Sequence, residues 1–134
     1  MNRQAAKKVQ EYPAFEHPDR VLCPYTKLCQ EEDRCGLNCK VFEFKPAYAK
    51  GLYTSYSFDG LSVLLIDTFL NKTLANSGSF DDNVLELSYL IDGEHIISID
   101  QLNRDLVYES QETYIVYLAG FKGAVTYHSE RPLK

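Results

Sequence analysis

The sequence predicts a mainly β domain, a barrel or two-sheet sandwich, preceded by an irregular, cysteine-containing N-terminal extension. Three observations point there. From Val41 onward, short runs rich in β-branched and aromatic residues recur. Two of these runs are followed by Asp-Gly pairs, Asp59-Gly60 and Asp92-Gly93, the dipeptide that suits a two-residue hairpin turn. The remaining runs are separated by short polar or glycine-containing segments at regular spacing, as in sandwiches and barrels. The division that follows is an extension over residues 1–40 and a β domain over 41–134.

In chain order, Met1 to Gln10 is polar and basic and reads as a short amphipathic turn or a frayed end. Pro13 to Cys39 carries three prolines, four cysteines and the charged patch Glu31-Glu32-Asp33-Arg34, and reads as irregular. Strands are expected at Val41 to Phe44 and at Leu52 to Phe58, the latter joined through Asp59-Gly60 to Leu61 to Leu70. Asn71 to Asn83 lacks apolar periodicity and reads as a loop flanking a ligand mouth. Val84 to Ile91 alternates apolar and polar residues, and Asp92-Gly93 is expected to turn it back into His95 to Ile99 as a second hairpin. Leu106 to Tyr108, Thr113 to Ala119 and Ala124 to Tyr127 continue the series, with turns at Glu109-Ser110 and Gly120 to Gly123.

Composition bounds the function. The chain has 134 residues, enough for one domain with a real core. Hydrophobic residues make up 45% and aromatic residues 13%, including ten Tyr and seven Phe, as in a folded protein. A formal net charge of -5 offers no basic field for phosphates, so direct binding of duplex DNA or RNA is not expected. The apolar run Leu61 to Leu70 is interrupted by Asp67 and is far shorter than the roughly 20 residues of a membrane helix. No apolar h-region follows the N-terminus, so a cytoplasmic, reducing location is expected.

The segment Val84-Leu85-Glu86-Leu87-Ser88-Tyr89-Leu90-Ile91-Asp92-Gly93-Glu94, followed by His95 to Ile99, Asp105-Leu106-Val107-Tyr108 and Tyr114 to Leu118, resembles in order and spacing the ligand-sensing N-terminal domain of AraC-type transcription regulators. The resemblance covers about the last two thirds of the chain, from Gly51 on. It departs at Arg104, where the family usually has Gly before the Asp-Leu pair. It implies a cupin-like barrel that binds a small-molecule effector, acts on DNA only through a helix-turn-helix half that would lie beyond Lys134, and can form a homodimer. On this reading the chain is a sensor half rather than an enzyme.

Two sets of residues carry candidate chemistry. Cys23, Cys29, Cys35 and Cys39 lie within 17 residues, which in a reducing cell suggests thiolate ligation of zinc or an iron–sulfur cluster. The gaps are five, five and three residues, so only Cys35 and Cys39 have the spacing of a zinc pair. Free or packed thiols are the main rival reading of the cluster, and a redox-active disulfide is a lesser one. No other cofactor is suggested.

The second set is a ligand-binding group. Tyr89, Tyr108, Tyr114 and Tyr117 fall on expected strands, where a ring supplies an apolar wall and a hydroxyl. Glu86 lies opposite the Leu85-Leu87-Tyr89 face; it is either an inward polar anchor or, as is commoner on a half-buried sheet, a solvent-facing carboxylate. A metal-dependent cupin enzyme needs two or three converging histidines, and His17, His95 and His128 form no His-x-His pair. No Gly-x-Ser-x-Gly or phosphate-cradling loop is present. The expected function is therefore effector sensing, with a cysteine-based metal or redox sensor and a small cupin enzyme as rivals.

Overall fold

Two hairpins with left-handed turn residues build the first sheet. The computed structural model describes residues 18–100, 102, 104–129 and 131–134, so the expected N-terminal turn and His17 lie outside it. A 3₁₀ segment, Pro18–Tyr25, leads into β1 (Thr26–Arg34), which pairs antiparallel with β2 (Leu37–Phe44). The turn between them is Cys35-Gly36, with φ of 53° and 83°. β3 (Ala49–Phe58) and β4 (Leu61–Leu70) are joined by the expected Asp59-Gly60 turn, with φ of 44° and 81°. Positive φ at both central positions gives a twist that matches the strands it joins.

The segment read as irregular is thus a hairpin from Thr26 onward, and the boundary drawn at residue 40 falls inside β2. Charged side chains and cysteines hid the strands, because nearly all of β1 is exposed and has no apolar alternation to show.

The second sheet is made of β5 (Leu74–Leu90), β6 (Glu94–Ile99), β7 (Leu106–Glu109) and β8 (Glu112–Tyr127), in the order β5-β8-β6-β7. A short β9 (Arg131–Leu133) returns to the edge of the first sheet beside β4. Beyond it, Ile91 N donates to Lys134 O at 2.8 Å and Lys134 N to Asp92 O at 3.0 Å, so the C-terminus stitches the two sheets together. The architecture is mainly β with two antiparallel sheets, as expected.

Three local expectations are corrected. Asp92-Gly93 does not close a hairpin, because β8 lies between β5 and β6. The Asn71 to Asn83 loop is strand from Leu74 on, paired along its length with β8. Gly120 to Gly123 is not a turn but the middle of β8. Gly123 is there because a Cβ would lie 1.9 Å from Ser98 O of the neighbouring β6, so the glycine serves a close backbone approach.

The core joins both sheets. Phe44, Ala49, Tyr53 and Leu70 from the first meet Leu74, Leu90, Ile97, Tyr108, Phe121 and Val125 from the second, with Leu22 and Leu133 closing the ends. Between Phe80 and Asn83 the β5–β8 register shifts. Beyond this irregularity β6 no longer flanks β8, and the two long strands continue as a ribbon (Asn83–Leu90 with Glu112–Ala119). A bulge of this type bends the strand it interrupts, and the ribbon brings Tyr114 onto Tyr108 of β7.

Candidate functional site

The period of two decides which ribbon residues can meet. In an antiparallel pair, residues directly opposite share a face. Glu86 stands opposite Val116 and Ser88 opposite Tyr114, and these four are half-buried. Leu85 stands opposite Tyr117, Leu87 opposite Ile115 and Tyr89 opposite Thr113, all on the exposed face. The structure therefore brings together three of the five expected ligand residues, Glu86, Tyr108 and Tyr114. Tyr89 and Tyr117 are excluded from the group, at 59% and 63% exposure. It also reverses the commoner expectation for Glu86, whose carboxylate lies on the covered side while its leucine neighbours face out.

On the covered face an aromatic stack forms. The Tyr108 and Tyr114 ring centroids are 4.2 Å apart with planes 6° from parallel. His95 of β6 is paired with Tyr108 on one side and Tyr127 on the other, with ring centroids 4.4 Å and 5.2 Å away. Tyr114 Oη donates to Glu112 Oε2 and accepts from Glu109 N at 2.7 Å, which fixes its ring. Tyr108 Oη, by contrast, is buried without a hydrogen-bond partner among the described residues.

The electrostatics follow from burial. Desolvation lowers the His95 pKa to about 4, so the imidazole is neutral at physiological pH. Burial raises the Glu86 carboxyl, partly offset by the Ser88 hydroxyl. Burial, and then the nearby Glu86 charge, push the Tyr108 phenol up to about 12 and raise that of Tyr127 as well. The hydrogen bond to Glu112 raises Tyr114. The imidazole and the three phenols are thus uncharged at neutral pH, with the Glu86 carboxyl beside them.

A cleft of about 310 Å³ opens beside the stack, lined by Arg104, Asp105, Leu106, Val107, Tyr108, Tyr114 and Val116. Asp105 accepts a hydrogen bond from Ser98 Oγ at 2.8 Å, and Arg104 adds a cationic residue to the lining. A second cleft of about 480 Å³, lined by Lys50, Gly51, Leu52, Asp67, Thr68, Phe69, Pro132 and Lys134, lies against β3, β4 and β9. It contains none of the aromatic cluster. The first cleft combines two rings and apolar side chains with a cation and a carboxylate, the usual furnishing of a small-molecule site.

The four cysteines do not converge, which corrects the expected metal site. Cys35 is at the tip of the β1–β2 hairpin and Cys29 is six residues back along β1, about 20 Å in an extended chain. Cys39 stands opposite Glu32 on β2, Cys29 Sγ donates to Val41 O at 3.2 Å, and Cys23 sits on the 3₁₀ segment. No disulfide joins them. Among the described residues no group of three or more His, Cys, Asp or Glu is placed to hold a metal ion. His128 pairs with Glu94 at 3.6 Å, while His95 is held by rings and does not line the cleft.

Val116 in the cleft wall and Tyr127, packed on His95, are not singled out by the sequence, where His95 stands only as a candidate metal ligand and Arg104 only as a departure from the family pattern. The signal for His95 and Tyr127 is the register of β6 against its two neighbours, which no local pattern reveals.

No family model, curated protein or solved structure matches this chain. Among the described residues no helix is long and apolar enough to cross a membrane.

Proposed function

We propose that this chain is a small-molecule-binding β module, holding a compact ring-bearing ligand in the cleft between β7 and the β5–β8 ribbon. The observation that carries this reading is the pairing of Tyr114 with the buried Tyr108 at the cleft wall, where Tyr108 Oη has no partner among the described residues. A buried hydroxyl left without a hydrogen bond costs about 1–3 kcal/mol, which a ligand recovers where it displaces the side chains that cover the oxygen. The cleft is at the lower end of the roughly 300–1,000 Å³ range of ligand sites, which limits the ligand to about one substituted ring. Arg104 in the lining favours a ligand with an acceptor or anionic group.

Among the described residues lining the cleft none is a nucleophile paired with a base, and its rings orient a ligand rather than transform it. Binding without turnover fits an effector-sensing role in a transcription regulator. That regulatory role rests on the AraC-type order of segments alone.

The test is titration of the protein with ring-bearing monosaccharides and aromatic carboxylates, followed by NMR. Saturable binding that shifts the Tyr108 and Tyr114 resonances, and that weakens at least tenfold in Arg104→Ala and Tyr114→Ala, supports the reading. Binding that leaves those resonances unmoved, or no binding across both compound classes, refutes it.

A further inference from the structure

The outer face of the ribbon is apolar and carries no charge. Leu85, Leu87, Tyr89, Ile115 and Tyr117 are 59–72% exposed there, although they are among the largest apolar side chains of the protein. The cross-strand pairs Asn83–Ala119, Leu85–Tyr117, Leu87–Ile115 and Tyr89–Thr113 contain no acidic or basic residue, in a chain of net charge -5. The outer face of the first sheet also exposes Leu52, Phe58, Leu61, Val63, Leu65 and Phe69. That face is interrupted by Glu43, Lys50 and Asp67, and its edge strand β1 carries Lys27, Glu31, Glu32, Asp33 and Arg34, the usual protection against association.

We infer that the outer face of the β5–β8 ribbon is a homodimer interface, packed face to face against the same ribbon of a second copy of this chain. Three arguments select that occupant. The five large side chains expose roughly 700 Å², taking about 190 Å² for a full aliphatic residue and about 250 Å² for a tyrosine, which approaches the roughly 800 Å² per partner of a stable interface. A neutral face offers nothing to a basic or acidic partner, yet it is where two bodies of charge -5 meet with least repulsion.

The third argument is shape. A two-fold axis running across the strands through the Leu87–Ile115 pair exchanges the two ends of the ribbon. Tyr117 of one copy then lies over the small Thr113 of the other, and Leu85 over Tyr89, so large side chains meet small or flexible ones.

The experiment is sedimentation velocity on the full chain over a concentration series, comparing wild type with Leu87→Glu, Ile115→Glu and Leu61→Glu. Each substituted residue is exposed, so the fold is retained and is checked by circular dichroism. The expected result is a wild-type dimer of twice 15.3 kDa, weakened more than tenfold by Leu87→Glu or Ile115→Glu and unchanged by Leu61→Glu. A wild type that stays monomeric throughout overturns the inference. So does a dimer broken by Leu61→Glu but not by Leu87→Glu, which would move the interface to the first sheet.

Discussion

Tyr114 stacks nearly parallel on Tyr108, 4.2 Å away, although β8 and β7 are not neighbours in the sheet. The contact exists because the ribbon continues past the register shift and lies over the β6–β7 edge, and it forms one wall of the cleft. Stacking of this kind contributes about 0.5–1.5 kcal/mol beyond the burial of the rings.

The first prediction separates the Tyr108 ring from its hydroxyl. Tyr108→Phe keeps the stack and removes a buried group without a hydrogen-bond partner among the described residues. Its stability, read from the urea midpoint, should equal or exceed wild type by about 1 kcal/mol. Tyr108→Leu, which loses the stack, should fall by about 2–4 kcal/mol. A Phe variant that loses more than about 1 kcal/mol would mean that the hydroxyl is already satisfied, and would take away the main support for a ligand there.

The second concerns pH. His95 has a folded pKa of about 4 against an ordinary 6.5, so between those values the unfolded chain binds a proton that the folded chain refuses. Its contribution is present in full above about pH 6.5 and is lost as pH falls, by up to about 3 kcal/mol at pH 4. The raised Glu86 carboxyl acts in the opposite sense, since the folded state takes up its proton more readily, and it offsets part of this loss. Urea midpoints between pH 7 and pH 4 should therefore drop in wild type and drop less in His95→Phe. Equal slopes in the two proteins would show that His95 is not the group responsible.

The third concerns two glycines that look alike in the sequence. Gly123→Ala places a methyl 1.9 Å from Ser98 O and must separate β6 from β8, so the variant should lose more than about 3 kcal/mol or fail to fold. Gly60→Ala meets nothing within 4 Å and suffers only from its positive φ of 81°, a cost of about 1–2 kcal/mol. Thermal melts of the pair check the order. A Gly123→Ala melt no lower than that of Gly60→Ala contradicts the close approach.

Much of the fold was legible from local signals. Asp59-Gly60 announced its hairpin, and the β-branched runs announced strands at β3, β4, β6 and β7. What stayed hidden depends on which strands pair. Asp92-Gly93 has the chemistry of a hairpin turn but makes a crossover, because β5 finds a far longer partner in β8 than in the six-residue β6. The polar stretch Asn76 to Ser79 is strand because Ala124, Gly123 and their neighbours offer it a continuous ladder, a tertiary effect that overrides propensity. For the site, alternation alone shows that Glu86 and Tyr89 cannot share a face. It does not say which face is covered, and the leucines on the exposed side pointed to the wrong answer.

The last prediction concerns the cysteines. They are spread along the β1–β2 hairpin and the 3₁₀ segment, with Cys29 and Cys35 exposed and Cys23 and Cys39 half-buried. Thiolate ligation of one ion needs four sulfurs about 2.3 Å from it, which an extended hairpin does not allow without losing its ladder. Titration of the purified protein with an aromatic disulfide reagent should find four thiols, with Cys29 and Cys35 reacting first, and elemental analysis should find less than a tenth of an equivalent of zinc or iron. One equivalent of metal together with four protected thiols would show that the hairpin rearranges around an ion, and would restore the metal-sensor reading that the folded geometry argues against.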